Sequence, residues 1–184
     1  MRLFVAADLS NDQRTQLARK VEEARKALVF DWIRWLPPSH WHATLLFIGE
    51  TQEPASTVVD QLWPVLSKPL SLEGIPHRIQ GFPDRQHPRL LALKLEPSAE
   101  IQNLVWRLHD CLHLSQKPRH YRMHISVARF REPGEPTLPL FHSALKELTE
   151  VDRGVWQIPS VTLFESKLSP SGAEYRSLRT WPMV

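Results

Sequence analysis

HWHATLLFIGE, residues 40–50, sets a histidine and a threonine two positions apart at the head of an apolar run that closes at Gly49-Glu50. Side chains alternate across a strand, so a strand here puts His42 and Thr44 on one face and Ala43 on the other. The pattern returns 82 residues later as His124-Ile125-Ser126-Val127, again histidine, apolar, hydroxyl, apolar. An isolated histidine on an apolar strand usually packs or hydrogen-bonds and does nothing more. Two matched copies, one in each half of the chain, bring four polar groups together if their strands lie side by side.

Working outward, RLFVAAD (residues 2–8) reads as a buried strand. Ser10 and Gln13 form a capping box ahead of Leu17, Val21, Ala24 and Leu28, the apolar spacing of a helix. Residues 32–35 make a short strand stopped by Pro37-Pro38, and 54–66 a helix that carries Pro64 near its end. Strands are expected over 70–81 and 89–96, around turn material at Pro83, Asp84, His87 and Pro88. Ser98 caps a second helix with the stripe Ile101, Leu104, Val105, Leu108 and Leu112. HISVARF is a strand, 140–151 a helix, and 155–166 and 174–181 two strands around SPSG. Helices mixed with hairpins, without strict alternation, predict an α+β fold with largely antiparallel sheets. No linker or low-complexity stretch divides residues 1–184, so one domain with two halves is expected.

Composition narrows the class. Of 184 residues, 42% are hydrophobic and 23% charged, a balance that excludes a disordered chain. No apolar stretch reaches the roughly 20 residues of a membrane span, and the first residues read as a strand without the flanks of a signal peptide. The single cysteine, Cys111, cannot form an internal disulfide, which suits a reducing cytoplasm. A formal charge of +3 leans towards polyanions, and Lys117, Arg119 and Arg122 gather just ahead of His124. Alone, such a cluster reads as a solvated loop.

The histidine pair suits displacement at phosphorus, in which attacking and leaving oxygens stand roughly in line. One group takes a proton from water while another gives one to the departing oxygen, and a side chain with a pKa near 6.5 does either. Thr44 and Ser126 can donate hydrogen bonds to the non-bridging oxygens. No metal or nucleotide cofactor is called for. No glycine-rich phosphate loop supports ATP-dependent ligation.

On these twin motifs the chain resembles the two-histidine phosphoesterase superfamily. More narrowly, it resembles the RNA 2′,3′-cyclic phosphodiesterases of bacteria and archaea, also called 2′-5′ RNA ligases. RLFVAADLS, HATLLFIGE and LFESKLSPSGAEYRSL (residues 163–178) extend the likeness over the full length. The resemblance implies two pseudo-symmetric lobes with helices outside and the histidines in a cleft between them. It implies hydrolysis of a 2′,3′-cyclic phosphate at an RNA end to a 2′-phosphate, with reversible 2′-5′ joining of tRNA fragments in some members. His42 would protonate the leaving 3′ oxygen and His124 would activate water, the roles exchanging for joining. Arg129 matches a basic position that binds phosphate or nucleotide in relatives, although strict alternation from His124 points it away from the site. Ser126 stands where threonine is commoner.

Phe4 in the first strand and Tyr175 with Arg176 in the last hairpin are candidate substrate contacts, since aromatic rings can hold a nucleobase. His109, Cys111 and His113 have the spacing of a helical metal site but lack the glutamate of H-E-x-x-H. We expect a cytoplasmic monomer with no obligate protein partner, acting on RNA ends that carry a cyclic phosphate. Two alternatives stay open: a non-catalytic RNA-binding module, and a cyclic phosphodiesterase of small nucleotides such as an ADP-ribose cyclic phosphate.

Overall fold

The computed structural model describes residues 1–83, 88–114, 120–131, 138–146, 148, 154–169 and 172–184. The chain runs β1 (Arg2–Ala7), α1 (Asn11–Ala27), β2 (Ile33–Trp35), a 3-10 turn (Pro38–His40), β3 (Ala43–Glu50), α2 (Ala55–Leu66), β4 (Glu73–Phe82) and β5 (Leu90–Pro97). Then follow α3 (Ala99–Cys111), β6 (His124–Phe130), α4 (Leu138–Lys146), β7 (Trp156–Gln157), β8 (Ser160–Ser169) and β9 (Gly172–Pro182).

The helices form for the local reasons the sequence offers. Ser10 Oγ accepts from the Gln13 amide at 3.2 Å while Gln13 Oε1 accepts from the Ser10 amide at 2.9 Å, and α1 then buries Leu17, Val21 and Ala24. Ser98 Oγ caps α3 through the Ile101 amide, and Ile101, Leu104, Val105 and Leu108 are fully buried. Helix α2 runs to Leu66 with Pro64 inside it and turns Val58, Leu62 and Val65 inward. These stripes join the sheet's buried residues in a single apolar core. None of the described helices is long and apolar enough to cross a membrane.

All the described strands join one antiparallel sheet in the order β7-β4-β5-β6-β3-β1-β8-β9, with β2 added against β6. The strand expected over 155–166 is two strands: Ile158-Pro159 interrupts it, leaving β7 at one edge and β8 beyond β4, β5, β6, β3 and β1. Strands sit about 4.8 Å apart, so a flat sheet would separate β7 from β8 by roughly 29 Å. The link between Gln157 and Ser160 can span only about 10 Å. The sheet must therefore curl, and Gln13 Nε2 donating to Gln157 O at 2.7 Å helps fix β7. The helix expected over 140–151 begins at Leu138 and ends at Lys146; of the remainder, 147 and 149–151 lie outside the described residues, as do Asp84, His87, Lys117 and Arg119.

The two motif strands meet at the centre of the sheet. β3 and β6 share one antiparallel register pair, Ala43 with Ile125. Outward from this seam the halves repeat each other, since β1-α1-β3 and β5-α3-β6 are both strand-helix-strand units that leave their strands adjacent. The repetition extends to irregularities. Between β1 and β3 the register jumps from Ala6–Thr44 to Val5–Leu46, skipping Leu45. Between β5 and β6 it jumps from Ala92–Ser126 to Leu91–Ala128, skipping Val127. A bulge therefore falls on the fourth residue of each motif.

Candidate active site

Continuing the Ala43–Ile125 register one residue each way sets His42 opposite Ser126 and Thr44 opposite His124. All four side chains line one cleft of about 400 Å³ on the curled face of the sheet. Small residues flank the hydroxyls, Ala6 beside Thr44 and Ala92 beside Ser126, so nothing bulky from the neighbouring strands covers them. Ala43 and Ile125 point the other way and are 1% exposed.

Each imidazole is oriented by the carbonyl two residues before it. His124 Nδ1 lies 2.8 Å from Arg122 O, and because a carbonyl only accepts, Nδ1 carries the proton and Nε2 is left to exchange one. For His42 a hydrogen bond to the His40 backbone favours the charged ring. Each ring also rests on phenylalanine. Phe4 and Phe164 stack on His42 with centroids at 5.0 and 6.0 Å, Tyr175 meets it edge-on at 5.2 Å, and Phe82 stacks on His124 at 3.9 Å. Phe164 on β8 and Phe82 on β4 occupy corresponding places in the two halves.

This apolar bedding sets the electrostatics. Burial pulls His42 down to about 4, assisted by the positive fields of His40, Arg14 and His124 and opposed by its bond to the His40 carbonyl. Burial also lowers His124, with Arg122 adding to the effect and its carbonyl opposing it. Without an anion both rings are neutral near pH 7; a phosphate between them would favour their charged forms.

Arg129 lines the same cleft. The Val127 bulge supplies the change of phase that strict alternation lacks: Val127 and Ala128 are both buried, and Arg129 returns to the face of His124. By the same shift Phe47, five residues after His42 as Arg129 is five after His124, enters the cleft at 52% exposure, with the Arg2 guanidinium 4.9 Å from its ring centre. Phe4 is 4% exposed and lies under the His42 imidazole, where its face is already occupied. Tyr175 lines the cleft, whereas Arg176 is held by the buried Glu165 carboxylate at 2.9 and 2.8 Å. His113 lies beyond the end of α3 with φ 52°, so it shares no helix face with His109. Among the described residues no three His, Cys, Asp or Glu side chains cluster as a metal site.

Sequence reasoning missed Phe82, Phe164 and Phe47. His40 ends the 3-10 turn beside Tyr175, with ring centroids 5.0 Å apart. The repeat itself held a signal for Phe47, its spacing from His42 being that of Arg129 from His124; Phe82 and Phe164 become visible only when distant strands are paired.

A curled antiparallel sheet with one histidine-hydroxyl motif from each of its two central strands facing a single cleft is the arrangement that the resemblance implied. The chain is similar to proteins named RNA 2′,3′-cyclic phosphodiesterase. It is 24% identical over 186 residues to the protein of that name from Archaeoglobus fulgidus, covering 98% of this chain and 99% of that one. It superposes on a crystal structure of a Thermus thermophilus protein with a TM-score of 0.77 at 23% identity, covering 100% of this chain and 98% of the other. E. coli LigT complexed with ATP is similar with a TM-score of 0.71 at 19% identity, over 99% and 96% of the two chains. No family model matches the chain.

Proposed function

We propose that the protein hydrolyses the 2′,3′-cyclic phosphate at an RNA end, leaving a 2′-phosphate. The observation that carries this reading is the cross-strand register that faces His42 with Ser126 and Thr44 with His124 around one cleft. The name of the Archaeoglobus fulgidus relative supports the substrate class.

In the proposed reaction a water oxygen attacks phosphorus and its proton passes to Nε2 of neutral His124. The P–O3′ bond breaks, and protonated His42 delivers a proton to the departing 3′ oxygen. His42 gains that proton as the anion enters, because a negative charge beside a buried imidazole favours its charged form and so opposes the burial that lowers it. Thr44 and Ser126 donate to the non-bridging oxygens, where charge accumulates. Arg129 adds a fixed positive charge at the cleft wall. The chain's own groups supply both proton transfers, so the rate is expected to withstand EDTA. With a 5′-hydroxyl in place of water the same site could join ends through a 2′-5′ bond, His124 still acting as base and His42 as acid, so that the roles exchange only when that bond is opened again. We place the reaction in the cytoplasm and in a single two-lobed domain of residues 1–184.

The test is single substitution, His42→Ala and His124→Ala, assayed on an oligoribonucleotide ending in a cyclic phosphate, with the phosphate position of the product read by NMR. Each is expected to lose about 10²- to 10⁴-fold in kcat while unfolding as one cooperative transition. Wild-type rates in both variants would refute the mechanism, and binding without turnover in the unaltered protein would favour an RNA-binding module.

A further inference from the structure

The cleft, at about 400 Å³, is at the low end for a ligand site and has room for roughly one nucleotide. A substrate that is an RNA end continues in the 5′ direction, so the strand must leave the cleft, and the sides of the two histidines are its candidate ways out. Each side has its own hollow. Beyond His42 lies one of about 270 Å³, whose lining carries Arg14 against Asp8 and Glu174, a formal charge of −1. Beyond His124 lies one of about 400 Å³, whose lining carries Lys94 and Arg122 against Glu96, a formal charge of +1.

The His42-side hollow shares His40, His42 and Tyr175 with the cleft, whereas the second hollow shares no lining residue with it and meets it across Phe82. Its near wall is Phe82, which stacks on His124 on one side and holds the Arg122 guanidinium 4.6 Å from its ring centre. Lys94 is the register partner of His124 and therefore shares its face of the sheet. At Lys94 the partner strand β4 bulges, with Pro76 opposite Leu95 and Ile79 opposite Leu93, so His77 and Arg78 together oppose one residue. That bulge opens the sheet where the groove lies. The acidic member, Glu96, has its Oε2 3.5 Å from His77 Nε2, a contact that is an ion pair only when His77 is protonated. Lys94 has no ion-pair partner among the described residues.

We propose that the RNA strand upstream of the cyclic phosphate leaves on the His124 side, where its next backbone phosphate lies in the groove between Lys94 and Arg122. This rests on the phosphodiesterase reading and adds the strand's path to it. A polyanion avoids a hollow of net negative charge and occupies one of net positive charge, and contacts to phosphate carry no base preference. Phe82 is already in contact with His124 and Arg122, so the groove holds backbone and does not select a base.

The experiment compares a nucleoside 2′,3′-cyclic phosphate with a dinucleotide and a trinucleotide ending in the same group. In the unaltered protein KM is expected to fall on adding the first 5′ nucleotide, whatever its base. Lys94→Gln should raise KM for the longer substrates about 3- to 10-fold, leave the mononucleotide within about twofold, and reduce the salt slope by about 0.7, as loss of one single-strand phosphate contact does. Glu174→Gln, in the other hollow, should change neither. The proposal is overturned if KM does not depend on length, if Lys94→Gln affects all substrates equally, or if Glu174→Gln alone strengthens the longer ones. Failure to hydrolyse even the mononucleotide would overturn the phosphodiesterase reading instead. Fluorescence anisotropy with a short RNA ending in a 3′-phosphate then still decides the groove, since Lys94→Gln must weaken binding if the path is right.

Discussion

Replacing His42 by glutamine removes a titrating group without adding charge, and the expected consequence is a change in how stability depends on pH. In the folded protein burial holds His42 at about 4, whereas in the unfolded chain it titrates near 6.5. Above 6.5 the ring is neutral in both states and titration contributes nothing. As pH falls from 6.5 towards 4 the unfolded chain takes up a proton that the folded protein refuses, so the native state loses up to about 1.4 kcal/mol per pH unit. Below about 4 both forms are protonated and the loss levels off, at roughly 3 kcal/mol in total. His42→Gln lacks this slope. Urea unfolding of both proteins from about pH 7.5 down to about pH 4 should show stability curves that converge, or cross, on acidification, because all other titrating groups are shared. Inorganic phosphate should flatten the wild-type slope by stabilising the charged ring. Curves parallel to within about 0.5 kcal/mol would mean that His42 is not held in a desolvated site, and the account of its bedding on Phe4 and Phe164 would fail.

In the proposed mechanism one ring is charged and the other neutral, so kcat/KM should be bell-shaped with its maximum below pH 6.5, where burial puts both free-site values; a maximum on the alkaline side would contradict this. Phe82→Leu removes the stack on His124 and, at about 0.5–1.5 kcal/mol for an aromatic pair, should lower kcat by up to about tenfold while KM for a mononucleotide barely moves. Tyr121→Phe leaves the Thr44 carbonyl without the phenol that now donates to it at 2.7 Å, and urea titration should show a loss of about 1–3 kcal/mol.

Much of this could be read along the chain. The capping box at Ser10 and Gln13, the cap at Ser98 and the apolar stripes of α1 and α3 are local patterns, each set by residues within a turn or two. The two histidine-hydroxyl motifs are equally local, since alternation along a strand suffices to put His42 with Thr44 and His124 with Ser126. Pro159 is equally plain in the sequence, yet where it divides the expected strand depends on which edge each piece can pair with.

What the sequence by itself determined is the content of the site: two imidazoles and two hydroxyls on apolar strands. Only the tertiary structure decided their arrangement. The Ala43–Ile125 pairing brings the motifs face to face, paired bulges turn Arg129 and Phe47 into the cleft, and Phe82 and Phe164 come from strands far along the chain. The physical reason is that side-chain alternation is a property of one strand, whereas register, bulges and the lowered pKa values arise from contacts between strands, which no single segment contains.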